Sequence, residues 1–307
     1  MNKILVLSSS DNEKKVLFKK LMYEKLIKKN IELLTSGYFD IWIDLDKGKE
    51  EVIINGKNIK EYDLLYFRRV GLCYSGLVGA ISVLAENLGV KFIDKTWQQI
   101  GPMGDKLTSL TKLFFAGIPI PHTIYFSNPR RVIKYDLLRE KLGIPFVAKD
   151  LQSQRGKGVF LINNESDLDK LKNLYPEMRT NQYMFQNYIE KDHEYRLLVL
   201  GERVSVWEEK VAQKKHEFRN NVALGAKEIF LKKEDLPKKY EEIAVKASYV
   251  LKMQISGVDL MTQKGTDKVY LLEVNRGPGF TYEPNISPEL DELTDYMANC
   301  ISNKNGE

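Results

Sequence analysis

Three oxygen-bearing side chains stand close together toward the C-terminal end of the sequence: Asp259 in Gly257-Val258-Asp259-Leu260, and Glu273 and Asn275 in Leu272-Glu273-Val274-Asn275. Side chains alternate along a strand, so Glu273 and Asn275 share a face, and a turn at Lys264-Gly265 between two strands brings Asp259 beside them. Two carboxylates and an amide are hard donors that suit magnesium, which completes its octahedron with water and phosphate oxygens. The plain alternative is a polar strand face turned to water, and spacing alone leaves both readings open.

Two further groups carry positive charge or backbone donors. Val147-Ala148-Lys149 is followed by Ser153-Gln154-Arg155-Gly156-Lys157-Gly158-Val159, a strand, a polar glycine loop and a returning strand. Such a loop exposes N–H groups to phosphate oxygens, with Lys149 and Arg155 adding positive field; in isolation an ordinary hairpin is the better reading, since glycine-containing turns are common. Arg196, in Glu194-Tyr195-Arg196-Leu197, and Arg219, in His216-Glu217-Phe218-Arg219-Asn220-Asn221, offer planar forks matched to phosphate or carboxylate, although a single arginine is more often a surface salt-bridge residue.

These groups need a scaffold, and the apolar pattern supplies one. Lys3 to Ser8 reads as a buried strand, and Asn12 to Lys29 as an amphipathic helix with Val16, Leu17, Leu21 and Leu26 on helical spacing. Strands are expected at 38–45, 51–54, 64–67 and 91–93 and a helix at 77–88, which together make an α/β domain over residues 1–95. Past Gly101-Pro102, a helix at 105–116, strands at 123–126, 145–151 and 159–162 and helices at 131–142 and 167–174 form a lobe over 96–182. Strands at 184–189, 195–200, 204–210, 257–261 and 269–275, a helix at 234–251 and a closing helix from Pro288 form a third segment, 183–307.

Composition narrows the chemistry. In 307 residues, 43% apolar and 29% charged is the balance of a globular chain rather than a disordered one. The run Ile4 to Leu7 is too short for a signal-peptide core, and no apolar stretch reaches the length of a membrane span, so a cytoplasmic location with no membrane partner is expected. Cys73 and Cys300 lack a C-x-x-C partner, and His122, His193 and His216 lack ligand spacing, which disfavours disulfide and transition-metal frameworks. The net charge of +5 is spread along most helices, a solvated lysine surface more than a nucleic-acid footprint.

Taken in chain order, Asp105-Lys106, Val147-Ala148-Lys149, the loop from Gln154 to Gly158, Gln186-Asn187-Tyr188-Ile189, Arg196, Phe218-Arg219-Asn220-Asn221, Gly257-Val258-Asp259 and Leu272-Glu273-Val274-Asn275-Arg276-Gly277-Pro278-Gly279 resemble the ATP-grasp ligases of the RimK type, over about residues 95–300. The resemblance implies an α/β N-terminal domain followed by a two-lobed α+β ATP-grasp fold. It also implies that Lys106 and Lys149 contact ATP phosphates, that Gln154, Arg155, Gly156 and Gly158 close over the triphosphate, and that Gln186, Asn187, Tyr188 and Ile189 line the adenine pocket. Arg196 and Arg219 would bind the transferred phosphate or substrate carboxylate, and Asp259, Glu273 and Asn275 would hold two magnesium ions, or manganese in their place.

The implied reaction phosphorylates a carboxylate with ATP and lets an amine attack the acyl phosphate, giving an amide. An amino acid, a peptide or a protein C-terminal tail would be the substrate, with Arg219, Asn221 and Arg276 toward it. Such a transfer needs positioning and charge neutralisation more than a protein nucleophile. Arg276 stands where the family usually has a small residue, Asn187 where an acid is common and Asn220 where serine is common, and Arg68-Arg69 form a further candidate anion site. A non-catalytic ATP-binding interaction module of the same fold and phosphotransfer without amide formation are the alternatives. A homo-oligomer is compatible with either.

Overall fold

The computed structural model describes residues 1–8, 16, 19–20, 23–24, 26–46, 48–68, 70, 74–93, 97–98, 106–127, 134–151, 158–173, 183–211, 227–275, 278–281 and 286–302. The chain divides into two compact units. One comprises Met1–Phe115, His122–Gln152 and Val159–Tyr188, the other Ala116–Pro121, Ser153–Gly158 and Ile189–Glu307.

The first unit holds two sheets. Strand β1 (Asn2–Ser8) lies between β2 (Ile31–Ser36) and β6 (Leu64–Arg68), parallel to both, with β7 (Lys91–Ile93) beyond β6. Leu5, Val6 and Leu7 are all buried, as a central parallel strand covered on both faces requires. Helices α1 (Ser75–Asn87) and α2 (Lys106–Phe115) pack together, and a Cβ on Gly79 would sit 2.6 Å from Thr108 Oγ1, so the small residue sets their approach.

The second sheet of this unit follows the order β10-β9-β11-β8-β3-β4-β5. Its members are β3 (Ile41–Asp46), β4 (Lys49–Ile54), β5 (Lys57–Asn58), β8 (Thr123–Phe126), β9 (Phe146–Asp150), β10 (Val159–Ile162) and β11 (Tyr183–Asn187). Strands β3 to β5, which fall in the first of the three segments read from the sequence, therefore extend the sheet of the second, with Trp42 opposite Phe126 and Leu45 opposite Thr123. Helices α3 (Tyr135–Leu142) and α4 (Glu165–Asn173) cover one face through a core that includes Phe126, Leu138, Phe146, Leu168 and Phe185.

The second unit is built on a five-stranded antiparallel sheet ordered β14-β13-β12-β15-β16. Its strands are β12 (Lys191–Leu200), β13 (Arg203–Val211), β14 (Lys227–Phe230), β15 (Ile255–Gln263) and β16 (Val269–Asn275). Helix α5 (Lys238–Val250) packs on the face that carries Tyr195, whose ring lies 5.7 Å from that of Tyr240. Helix α6 (Glu289–Ser302) covers the opposite face through Leu293 and Tyr296 against Leu198, Leu200 and Val206. No described helix is long and apolar enough to cross a membrane.

Several expected elements shift. The strand read at 38–45 begins later, as β3 at Ile41, and β2 at Ile31–Ser36 was not anticipated; between them a Cβ on Gly37 would lie 2.4 Å from the Phe39 ring and the buried Tyr38 donates its hydroxyl to the Leu7 carbonyl at 3.0 Å. Strand β14 was not anticipated: four residues in a charged stretch carry too little apolar alternation to be read. The helix expected at 12–29 lies partly outside the described residues, and Lys19, Lys20, Leu26 and Ile27 within it are helical.

Candidate active site

Four charged side chains form one row across the five-stranded sheet. Glu208 on β13 stands opposite Arg196 on β12, Arg196 opposite Asp259 on β15, and Asp259 opposite Glu273 on β16. Directly opposed residues of antiparallel strands project to the same face. Lys210, two residues beyond Glu208, and Asn275, two beyond Glu273, join them there by the strand period.

Asp259 is the hub. Arg196 donates to it through Nε to Oδ1 and Nη2 to Oδ2, both at 2.9 Å, Lys210 Nζ reaches Oδ1 at 2.8 Å, and Asn275 Nδ2 approaches Oδ2 at 3.4 Å. The paired fork fixes the carboxylate plane as well as its charge. Burial alone would raise the Asp259 carboxyl, but Lys210 and Arg196 outweigh it and hold it at about 2. Gly257, opposite Asn275, makes room: a Cβ there would lie 2.8 Å from Pro278 Cβ and 3.6 Å from Arg196 Cδ and Nε, so the arginine reaches across β15 over a bare backbone.

A second layer of acids surrounds the cations. Glu208 is 2% exposed, and its Oε2 has no hydrogen-bond partner among the described residues. Burial, then the charges of Glu228 and Glu289, push its carboxyl up to about 8 against the pull of Arg196 and Lys210. Glu228 on β14 stands opposite Lys210 and accepts from the Thr281 hydroxyl, while Glu289, at the start of α6, accepts from Thr281 N at 2.8 Å and Ser287 Oγ at 2.9 Å. Burial raises the Glu289 carboxyl and the charge of Glu228 adds to it, against the lowering by those bonds.

Of the residues singled out in the sequence, Arg196, Asp259, Glu273 and Asn275 share this face of the second unit. Lys106, Lys149 and Gln186 belong to the first unit. There Lys106 Nζ donates to the Asp150 carbonyl at 3.2 Å, next to Lys149 on β9. Lys149 stands opposite Met184 on β11, so it shares a sheet face with Gln186, two residues on. Gln186 is 1% exposed and donates to Thr123 Oγ1 at 2.8 Å, while its Oε1 has no partner among the described residues. Asn187, on the opposite face of that strand, leaves Oδ1 unpaired in the same sense, and its N–H donates to the His122 carbonyl at 3.2 Å. Tyr188 and Ile189 follow directly, and Gly158 is a buried turn residue. Gln154, Arg155, Gly156, Arg219, Asn221, Arg276 and Arg69 lie outside the described residues. Arg68 ends β6.

Lys210, Glu208, Glu228 and Glu289 were not read from the sequence. A usable signal exists for two of them: Glu208 and Lys210 are charges at strand spacing that continue the row of Val204 and Val206, in the returning arm of the hairpin that carries Arg196. Charges on the face that continues an apolar row are the informative ones.

A family model, the RimK-like ATP-grasp domain, matches residues 103–291. The chain belongs to this family. A probable alpha-L-glutamate ligase of Legionella pneumophila (strain Corby) is 33% identical over 177 residues, which is 57% of this chain and 56% of that protein. The chain thus spans a little over half the length of the first curated relatives it matches. One of Vibrio vulnificus (strain YJ016) is 27% identical over 240 residues, 78% of this chain and 76% of the relative. Among solved structures, D-alanine–D-alanine ligase from Bacillus anthracis complexed with ATP has a TM-score of 0.51 at 19% identity, covering 97% of each chain. The α/β start and the two sheets that follow are those of an ATP-grasp fold.

The donor set fits the divalent ion that this family implies. Asp259, Glu273 and Asn275 present only oxygen or amide donors on adjacent strands, and Asp259 is held ionised, as a metal ligand must be. Arg196 and Lys210 already engage both Asp259 oxygens, and the half-buried Glu273 is the second carboxylate of the set.

Proposed function

We propose that this RimK-like ATP-grasp protein is an ATP-dependent carboxylate–amine ligase that forms an amide or peptide bond through an acyl phosphate. Lys106 and Lys149 bind nucleotide phosphates, together with the loop containing Gln154, Arg155, Gly156 and Gly158. Gln186 to Ile189 receive the base, and the unfilled Gln186 Oε1 is an acceptor suited to an exocyclic amine. Asp259, Glu273 and Asn275 would hold magnesium, which would supply positive charge against the negative charge that develops on phosphoryl transfer. Arg196 and Lys210, locked on Asp259, present a fixed positive surface to the anionic acyl phosphate without reorganising. Arg219, Asn221 and Arg276 face the carboxylate substrate.

The observation that carries this reading is the row Glu208–Arg196–Asp259–Glu273, a set of opposed charges on rigid strands in a chain of this family. The names of the curated relatives make L-glutamate the first substrate to try. The test is ADP release over amino acids and short acidic peptides, paired with mass spectrometry of the product. Release that requires both a carboxylate and an amine, with a product whose mass is that of the two substrates less one water, supports ligation. Nucleotide binding without turnover would point instead to an ATP-dependent interaction module.

A further inference from the structure

We propose that Glu208, backed by Glu228 and Glu289, receives the ammonium group of the amine substrate and takes the proton it must shed before it can attack. This rests on the ligase reading above and adds to it the group that handles the nucleophile.

Glu208 is the anomaly of the charged face. Buried polar atoms are almost always paired, and one that is not needs a reason. Its neighbours are Arg196 and Lys210, both committed to Asp259, the apolar Phe230 opposite it on β14, and the like-charged Glu228 and Glu289. Thr281 ties those two acids together, donating its hydroxyl to one and its backbone N–H to the other. Among the described residues, then, an unpaired carboxylate oxygen sits beside two further carboxylates, and the cations nearby are satisfied elsewhere. A ligand that brings positive charge and N–H donors relieves all three.

The proposed reaction supplies such a ligand. An alkylamine reaches the enzyme as R–NH3+ and cannot attack in that form. Proton transfer to Glu208 gives R–NH2 and a neutral carboxylic acid. The nitrogen lone pair forms the C–N bond, the C–O bond to phosphate breaks with its electron pair leaving on phosphate, and the second nitrogen proton goes to the departing phosphate as HPO4 2–. Among the described residues of this face, Asp259 is tied to Arg196 and Lys210, Glu228 and Glu289 accept from Thr281 and Ser287, and Glu273 belongs to the proposed metal set. Burial and the neighbouring acids raise the Glu208 carboxyl to about 8, which suits a base working near neutrality.

The test uses the full chain with ATP and magnesium, N-acetylated tetraglutamate as the carboxylate, and either L-glutamate or hydroxylamine as the nucleophile. Hydroxylamine is largely uncharged near neutral pH and needs no base. Glu208→Gln is expected to lower L-glutamate ligation at neutral pH about a hundred-fold more than hydroxamate formation, with the gap narrowing as pH rises and with partial recovery in Glu208→Asp. Equal losses with both nucleophiles, or no loss, overturn the proposal. Should Glu208→Gln fail to fold, Glu228→Gln serves: removing a neighbouring negative charge moves the pH midpoint of L-glutamate ligation lower, and an unmoved midpoint overturns the proposal. If the wild type yields neither product nor ADP, the ligase reading itself falls and this proposal falls with it.

Discussion

The two polar faces of this protein are built on opposite principles. On the five-stranded sheet, Arg196, Lys210 and Asp259 satisfy one another within 2.9 Å, and Glu208 and Glu289 are buried with them. At the seven-stranded sheet, Lys106 donates to the Asp150 carbonyl, Lys149 is half-buried, and Gln186 Oε1 has no partner among the described residues. The first face has its charges fixed before any ligand arrives. The second has an amide acceptor, Gln186 Oε1, left without a partner among the described residues. Transition-state stabilisation gains from preset charge, while recognition of a base gains from an unfilled hydrogen-bonding group whose only good partner is the ligand. The contrast fits a division between chemistry on the second unit and nucleotide capture on the first.

That division can be broken by mutation, and the largest effect is expected at Glu273. Glu273→Ala should lower ADP release at least a hundred-fold, since metal stabilisation of transferring phosphate supplies several kcal/mol, while the circular dichroism spectrum stays that of the wild type. Next come the locked cations. Arg196→Met or Lys210→Met strips a partner from a buried carboxylate and should cost about 3–5 kcal/mol in urea denaturation. Lys149→Met on the other face should change stability by less than about 1 kcal/mol and raise the KM for ATP instead. Equal stability losses at Lys149 and Lys210 would erase the distinction between the faces.

Smaller effects sharpen it. Gly257→Ala should cost about 1–3 kcal/mol by overpacking, because the new Cβ meets Pro278 at 2.8 Å. The pH dependence of stability has two opposite limbs. Asp259, held at about 2 against an ordinary 3.8, adds stability that is full above its ordinary value and is lost as pH falls toward 2. Glu208, raised to about 8 from an ordinary 4.5, binds more protons folded than unfolded across that interval, so stability declines as pH rises from 4.5 to 8 and levels off above. Glu208→Gln should flatten the second limb and leave the first, as read by thermal melts across pH. The smallest effect belongs to nucleotide capture: Gln186→Leu should weaken ATP binding by about ten-fold, the worth of one hydrogen bond to a buried acceptor, measured by calorimetry.

The contrast also explains what could be read from sequence. Glu273 and Asn275 alternate with Leu272 and Val274, and Asp259 lies one hairpin away, so the strand period alone put the three on one face, as the pairing of Asp259 with Glu273 and Gly257 with Asn275 has it. Lys210 and Glu208 escaped because a charge in a hairpin strand reads as solvated, and only the sheet reveals that β14 and α6 close over them. Glu289 escaped for a related reason: an acid in the first turn of a helix already has a local explanation in the helix dipole. In the first unit, Trp42 opposite Phe126 joins strands 84 residues apart, and neither local alternation nor composition encodes which sheet a strand will enter. Arg219, Asn221 and Arg276 keep the roles expected of them as proposals.

One measurement bears most directly on the claim that the charged row serves amide ligation: ADP release and product mass for wild type and Glu273→Ala, with magnesium-ATP, an acidic peptide and L-glutamate. The expected result is ADP formed together with a glutamate-extended peptide in the wild type only, and only when both substrates are present. Wild-type turnover in Glu273→Ala, or ADP formed without any amide product, would contradict it.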